Sequence, residues 1–179
     1  MKLVILDNNG VINESSSTFI KSPDEWKPLP GSLEAISQLT HAGYRVIVAT
    51  NQSGIGRGLL DMATFNAIND KMFKAVQQVG GRLDALFFCP HTQQDKCQCR
   101  KPGIGMFQEI MQRYSTDLKG VPAIGDSLRD LQAAVAVGAI PILVLTGKGE
   151  RTHANGELPE ETQIYADLAS VVDALVKNK

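Results

Sequence analysis

The apolar positions of this chain fall into two kinds of run. Leu3-Val4-Ile5-Leu6, Tyr44 to Ala49, Leu83 to Phe88, Val121 to Ile124 and Ile140 to Leu145 are short and unbroken, without polar alternation. That is the pattern of strands buried on both faces of a parallel sheet. Between them the apolar residues recur at helical spacing: Leu33, Ile36 and Leu39; Phe65, Ile68, Met72, Val76 and Val79; Phe107, Ile110, Met111 and Tyr114; Leu168, Val171, Val172 and Leu175. A further helix is expected from Leu128 to Val137, capped by Ser127, and Asp61 can cap the one before Phe65. Gly43, Gly80 and Gly138 stand where helices should close. The alternation predicts a doubly wound α/β fold with a mostly parallel sheet, as a single domain over residues 1–179. Two stretches carry no such pattern and read as loops, Asn13 to Pro30 and Gly147 to Pro159. The first, at about 17 residues, is long enough to be functional or disordered.

Several strands end on residues able to do chemistry. The first stops at Asp7-Asn8-Asn9-Gly10, the second at Thr50-Asn51-Gln52-Ser53, and the fourth at Gly125-Asp126, with Asp130 one helical turn on. In open α/β sheets the carboxyl ends of the strands line one edge, where ligands bind. Two carboxylates there form an oxygen-rich site suited to Mg²⁺. Thr50 and Asn51 add a hydroxyl and an amide for phosphoryl oxygens, and Lys101 adds positive charge. Asp130 could anchor Lys101, hold a metal-bound water, or face solvent.

Composition narrows the classes. The formal net charge of −1 lacks the basic excess of a general nucleic-acid binder. No apolar run approaches the ~20 residues that span a bilayer, and Asp7 interrupts the apolar start too early for a secretory signal. A cytoplasmic monomer acting on a small molecule is the expectation. All three cysteines lie between positions 89 and 99, a poor disulfide framework. With a histidine they form Cys89-x-His91-x₅-Cys97-x-Cys99, the donor set of a closed structural zinc site. Arg100 and Lys101 follow the last ligand, so zinc in loop 89–99 would fix both cations near the strand ends. His41 and His153 read as surface residues.

The order strand–Asp-x-x-Gly, strand–Thr-Asn, Lys-Pro, strand–Gly-Asp-x-x-x-Asp resembles the haloacid-dehalogenase-like phosphohydrolases over essentially the whole chain. The zinc loop running into Arg-Lys-Pro, together with Thr-Asn-Gln-Ser-Gly-x-x-Arg-Gly, narrows this to the D-glycero-D-manno-heptose 1,7-bisphosphate 7-phosphatases, a capless group serving the ADP-heptose route to lipopolysaccharide core. Histidinol-phosphate phosphatases are the near alternative. The resemblance implies that Asp7 attacks phosphorus and forms an aspartyl-phosphate. It implies Mg²⁺ on Asp7, Asp126 and the backbone carbonyl of Asn9, and Thr50 and Lys101 on the transferring oxygens. Thr50 to Ser53, Arg100, Lys101 and Ser127 are the implied substrate contacts, Arg100 taking the second phosphate. The loop Ser15 to Thr18 lies where the family touches substrate, but lacks the acidic and aromatic residues usual there.

The chain departs from the family at Asn9, where similar enzymes carry an aspartate that protonates the leaving oxygen and deprotonates the attacking water. An amide cannot transfer a proton, and losing a general acid–base typically costs about 10²–10⁴-fold in rate. Three readings follow: an aspartate replaced so that substrate stays bound, a natural form of reduced turnover, or a non-catalytic binder of a phosphorylated metabolite. Asn8 also stands where an arginine is common.

Overall fold

The computed structural model describes residues 1–178. Six parallel strands form one sheet: β1 (Lys2–Leu6), β2 (Tyr44–Asn51), β3 (Ala85–Cys89), β4 (Pro122–Gly125), β5 (Ile140–Val144) and β6 (Gln163–Tyr165). Their spatial order is β3-β2-β1-β4-β5-β6. The chain therefore winds outward in one direction from β1 and in the other from β4, and the order reverses between these two strands. That reversal opens a crevice at their carboxyl ends.

The unbroken apolar runs are buried because the sheet is covered on both sides. Val4, Leu6, Val46 and Val48 face one layer, packed by α1 (Ser32–His41), α3 (Met62–Gln78) and α7 (Leu168–Lys177). Leu3, Ile5, Ile47 and Ala49 face the other, packed by α4 (Gly105–Tyr114) and α5 (Leu128–Ala136). None of the described helices is long and apolar enough to cross a membrane.

Three features depart from the sequence expectation. A sixth strand, β6, pairs with β5 at the sheet edge; it spans three residues and is largely exposed, so it carries no buried run. The expected loop after Gly147 contains helix α6 (Gly149–Asn155), whose residues Gly-Glu-Arg-Thr-His-Ala-Asn hold no apolar stripe. The 13–30 segment is built on a 3₁₀ turn at Pro23–Glu25, and Trp26 behind it belongs to the core. One further helical turn, α2 (Ser53–Gly56), follows β2.

Leu6 is fully buried in the central strand, one residue before Asp7. Leu6→Ala is expected to lower unfolding free energy by about 3 kcal/mol in urea titrations; a loss below about 1 kcal/mol would show that this strand is not the packed centre.

Candidate active site and zinc loop

The reversal in strand order places Asp7, after β1, beside Asp126, after β4. The Asp7 backbone N–H donates to the Ile124 carbonyl at 3.0 Å, tying the two strand ends together. Gly10 makes the approach possible: its φ is +84°, and a Cβ there would overlap the Asp126 carboxylate. Gly147 abuts the same carboxylate from the end of β5. The segment after β5, with the unexpected helix α6, completes the frame. Lys148 N–H donates to Asp126 Oδ2 at 2.9 Å, Thr152 Oγ1 to the Asp126 carbonyl at 2.7 Å, and Thr146 Oγ1 to the Gly10 carbonyl at 2.7 Å.

Lys101 enters this acidic corner from the zinc loop and is 3 % exposed. Its Nζ lies 2.7 Å from Asp130 Oδ1, 3.7 Å from Asp7 Oδ1 and 2.8 Å from the Ala49 carbonyl. Asp130 thus anchors Lys101, the first of the roles open for it. Its other oxygen accepts from the Asp126 N–H and from the Ser127 N–H and hydroxyl, which is the capping box of α5. One carboxylate starts a helix and fixes a cation together.

The charges respond to this crowding. Burial pushes the Asp7 carboxyl up to about 8; Lys101 opposes the rise, while Asp130 and Asp126 add to it. Burial and the Asp130 charge raise Asp126 to about 6, against the Lys148 N–H and ammonium. Burial also works against ionisation of Asp130, yet the Lys101 charge and the bonds from Lys101 and Ser127 hold it below the usual carboxylate range. Lys101 stays above its ordinary value despite burial because Asp130 and Asp7 face it. Oxygens of Asp7, Asp126 and Asp130 lie within 4.8 Å of one another. With the Lys101 ammonium against Asp130 and Asp7 and that of Lys148 near Asp126, the three acids remain an oxygen-rich donor set that fits a hard divalent cation such as Mg²⁺.

The remaining predicted residues divide. Asn9, Asn51, Gln52, Ser53, Arg100 and Ser127 line the same cavity as Asp7, Lys101 and Asp126. Asn51 spends its amide on Lys101, accepting from its backbone N–H at 2.9 Å and donating to its carbonyl at 3.2 Å. It positions the lysine from the cavity wall. Thr50 sits behind the wall: it is fully buried, and its hydroxyl donates to Asn8 Oδ1 at 2.6 Å and accepts from Gln52 Nε2 at 3.2 Å. Asn8, which the sequence left without a role, also accepts from the Asn9 N–H at 2.7 Å. At position 9 the amide oxygen accepts from Asn13 Nδ2 at 3.0 Å, a bond a carboxylate would make equally well.

Cavity residues that sequence reasoning missed include Arg129, Lys148, Phe19 and Trp26. Arg129 lies within the Asp-Ser-Leu-Arg-Asp run that follows β4, the one signal that could have found it. Burial, Arg129 and Arg57 lower the pKa of Arg100, marking a concentration of positive charge beside the cavity.

The four expected zinc donors converge. Cys89 Sγ is 2.7 Å from Cys99 Sγ and 3.5 Å from both Cys97 Sγ and His91 Nδ1, and His91 Nδ1 is 3.3 Å from Cys99 Sγ. Three thiols and an imidazole this close are a set that could hold zinc. Burial pushes the Cys89 thiol up to about 12, while Cys97 comes down to about 7 because bonds from the Arg100 N–H and the neighbouring donors outweigh its burial.

Known proteins resemble this chain. A family model described as polynucleotide kinase 3 phosphatase matches residues 4–127, and one described as HAD-hydrolase-like matches residues 98–171. The D-glycero-beta-D-manno-heptose-1,7-bisphosphate 7-phosphatase of Bordetella bronchiseptica is 58 % identical over 177 residues, 99 % of each chain. That of Pseudomonas putida is 49 % identical over 98 % of this chain and 100 % of its own. The crystal structure of the B. bronchiseptica D,D-heptose 1,7-bisphosphate phosphatase complexed with magnesium and phosphate superposes with a TM-score of 0.98, at 57 % identity and full coverage of both chains. The corresponding phosphatase from Burkholderia thailandensis gives a TM-score of 0.80 at 52 % identity, over 98 % of this chain and 99 % of its own.

Elemental analysis of the purified protein should find about one zinc per chain, and Cys97→Ser should reduce it to a small fraction. Unchanged zinc in that variant would contradict the four-donor assignment.

Proposed function

The chain belongs to the D-glycero-beta-D-manno-heptose-1,7-bisphosphate 7-phosphatase family of HAD-like hydrolases, and from that membership we propose that it removes the 7-phosphate of the heptose bisphosphate through Asp7. The observation that carries the reading is the junction itself: Asp7 and Asp126 share one crevice with a buried Lys101 held 2.7 Å from Asp130 and 3.7 Å from Asp7. The protein acts in the cytoplasm as a monomer on a small phosphorylated sugar, in the route to ADP-heptose.

Asp7, Asp126 and the backbone carbonyl of Asn9 would hold Mg²⁺, which when bound offsets their charge against an anionic phosphate and polarises its oxygens. Asp7 supplies the nucleophile: a bond forms from its carboxylate oxygen to phosphorus as the bond from phosphorus to the sugar oxygen breaks. Lys101, fixed by Asp130 and by Asn51, presents charge to the phosphoryl oxygens without reorganising. Gln52, Ser53 and Ser127 line the cavity and bind its polar contents. The Thr50 hydroxyl reaches a phosphoryl oxygen only by giving up its bond to Asn8. Arg100 and Arg129 take the second phosphate of a bisphosphate, their mutual repulsion relieved by its charge.

Proton transfer is the weak link. The departing sugar oxygen needs a proton, and the water that attacks the aspartyl-phosphate must lose one. Asn9 lines the cavity, and its amide can hydrogen-bond to either but exchange a proton with neither. Binding is intact in this form and turnover is slow. Asn13, which donates to position 9 at 3.0 Å, would hold a carboxylate there in the same place.

Asn9→Asp is expected to raise kcat for heptose 1,7-bisphosphate about 10²–10⁴-fold, measured as released orthophosphate in Mg²⁺. No gain would sink the proposed cause of slow turnover, and faster turnover of histidinol phosphate would move the substrate assignment to that alternative.

A further inference from the structure

Asn8 directly follows Asp7, lines the catalytic cavity and is 5 % exposed. Its amide is held in one orientation. Oδ1 accepts from the Asn9 N–H at 2.7 Å, which the amide nitrogen could not do, and from the Thr50 hydroxyl at 2.6 Å. Thr50 in turn accepts from Gln52 Nε2 at 3.2 Å, and the alternative acceptor for its proton, the Asn51 carbonyl, lies farther off at 3.3 Å. Both lone pairs of Asn8 Oδ1 are therefore filled. What the side chain has left to offer is the two N–H bonds of Nδ2.

Those N–H bonds have no partner among the described residues. The unpartnered polar atoms that protein encloses are Asn13 Oδ1, Trp26 Nε1 and Thr162 Oγ1. Asn8 Nδ2 is not among them, so it is open to the cavity that its residue lines. Side chains this buried nearly always satisfy their polar atoms, and a free NH₂ at an opening calls for an acceptor inside it. The neighbours select the acceptor. Asp7 Oδ1 accepts from the Asn8 backbone N–H at 2.9 Å, and the Lys101 ammonium lies 3.7 Å from that same oxygen. A group that meets a cation and several N–H donors beside a carboxylate cluster fitted for a divalent metal is a phosphoryl group, and N–H bonds to its charged oxygens are the strong kind. Thr50 stands at the strand end where such a donor is expected, but it is fully buried and its proton goes to Asn8.

We propose that Asn8 is a phosphate-binding residue: Nδ2 donates to a phosphoryl oxygen, and Thr50 acts through it as a positioning residue by holding the amide oxygen. This rests on the reading of the Asp7 crevice as a phosphate site. The donor expected at the end of β2 is thus delivered from the end of β1, one residue after the nucleophile. A neutral amide does this without adding charge to a corner already crowded with it. Thr50, Asn8 and the phosphoryl oxygen form a chain of hydrogen bonds in which each donor is polarised by the one behind it.

The test is calorimetric titration with orthophosphate, in saturating Mg²⁺, of the unsubstituted protein, Asn8→Ala, Thr50→Val and the double variant. Asn8→Ala should weaken orthophosphate about 10–100-fold, the range for a hydrogen bond to a charged group. Thr50→Val should cost less, and adding it to Asn8→Ala should cost nothing more, because Thr50 acts through the amide. Affinity kept or raised in Asn8→Ala, a larger loss in Thr50→Val, or a further loss in the double variant would mean that Thr50 meets the phosphate itself, and each overturns the proposal. Should Asn8→Ala fail to fold, the unsubstituted ¹⁵N-labelled protein decides. Its Asn8 side-chain NH₂ signals, assigned through the backbone, should shift with orthophosphate at the calorimetric midpoint; signals that stay in place overturn the assignment. If the unsubstituted protein binds no orthophosphate, the phosphate reading fails and takes this proposal with it. If it binds orthophosphate and Asn8→Ala binds it equally, the proposal fails alone.

Discussion

The site depends on a buried ion pair, Lys101 with Asp130. An ammonium that is 3 % exposed stays charged only if its partners repay the lost hydration. Asp130 does so at 2.7 Å, with the Ala49 carbonyl at 2.8 Å. The pair is over-determined from both sides. Asp130 is locked by the N-terminal turn of α5, through three donors on one of its oxygens. Lys101 is locked by Asn51 at the end of β2 and by the Cys/His loop immediately before it. A helix cap, a strand end and a metal loop, far apart in sequence, therefore fix one positive charge against Asp7.

Much of this was legible in the residues. Leu3 to Leu6 and Tyr44 to Ala49 announce strands because a sheet covered on both faces leaves no polar alternation. Asp7 and Asp126 were legible from their place at the carboxyl ends of such strands, taken with the order of the motifs down the chain. The Cys/His cluster was legible as spacing alone. What escaped has physical reasons too. Strand β6 is an exposed three-residue edge, and α6 lacks an apolar face, so neither leaves a periodic trace. Lys148 and Thr152 support Asp126 through a backbone N–H and a hydroxyl bonded to a carbonyl, contacts that spacing does not encode. Thr50 and Asn51 looked like phosphate donors at a strand end. In the fold the Thr50 hydroxyl bonds to Asn8 and Gln52 and the Asn51 amide to Lys101, contacts between elements that spacing does not encode. Trp26 lies in the 13–30 stretch, which carries no periodic pattern; only the tertiary structure brings it to the cavity wall.

The Asn8-Asn9 pair shows how narrowly function can be separated from fold. Asn8 accepts from Thr50 and from the Asn9 N–H, and Asn9 accepts from Asn13. Local hydrogen bonding is satisfied, the strand ends meet, and the acidic corner is assembled. What the amide lacks is a titratable proton, which no packing or hydrogen bonding can supply. On the proposed function, binding and cleavage of a phosphate ester would fall to different atoms of the same crevice.

The central claim is that a cation buried by the zinc loop and a carboxylate pair at the strand reversal together make a phosphate site. Calorimetric titration of Lys101→Met with orthophosphate, at saturating Mg²⁺ and with folding confirmed by circular dichroism, tests it directly. Methionine keeps the length and burial of the side chain and removes its charge. The account predicts that orthophosphate affinity falls at least about 10-fold, as expected for losing a charge-assisted contact. Affinity equal to that of the unsubstituted protein, in a folded Lys101→Met, would mean that the buried ammonium merely neutralises Asp130 and that phosphate binds elsewhere.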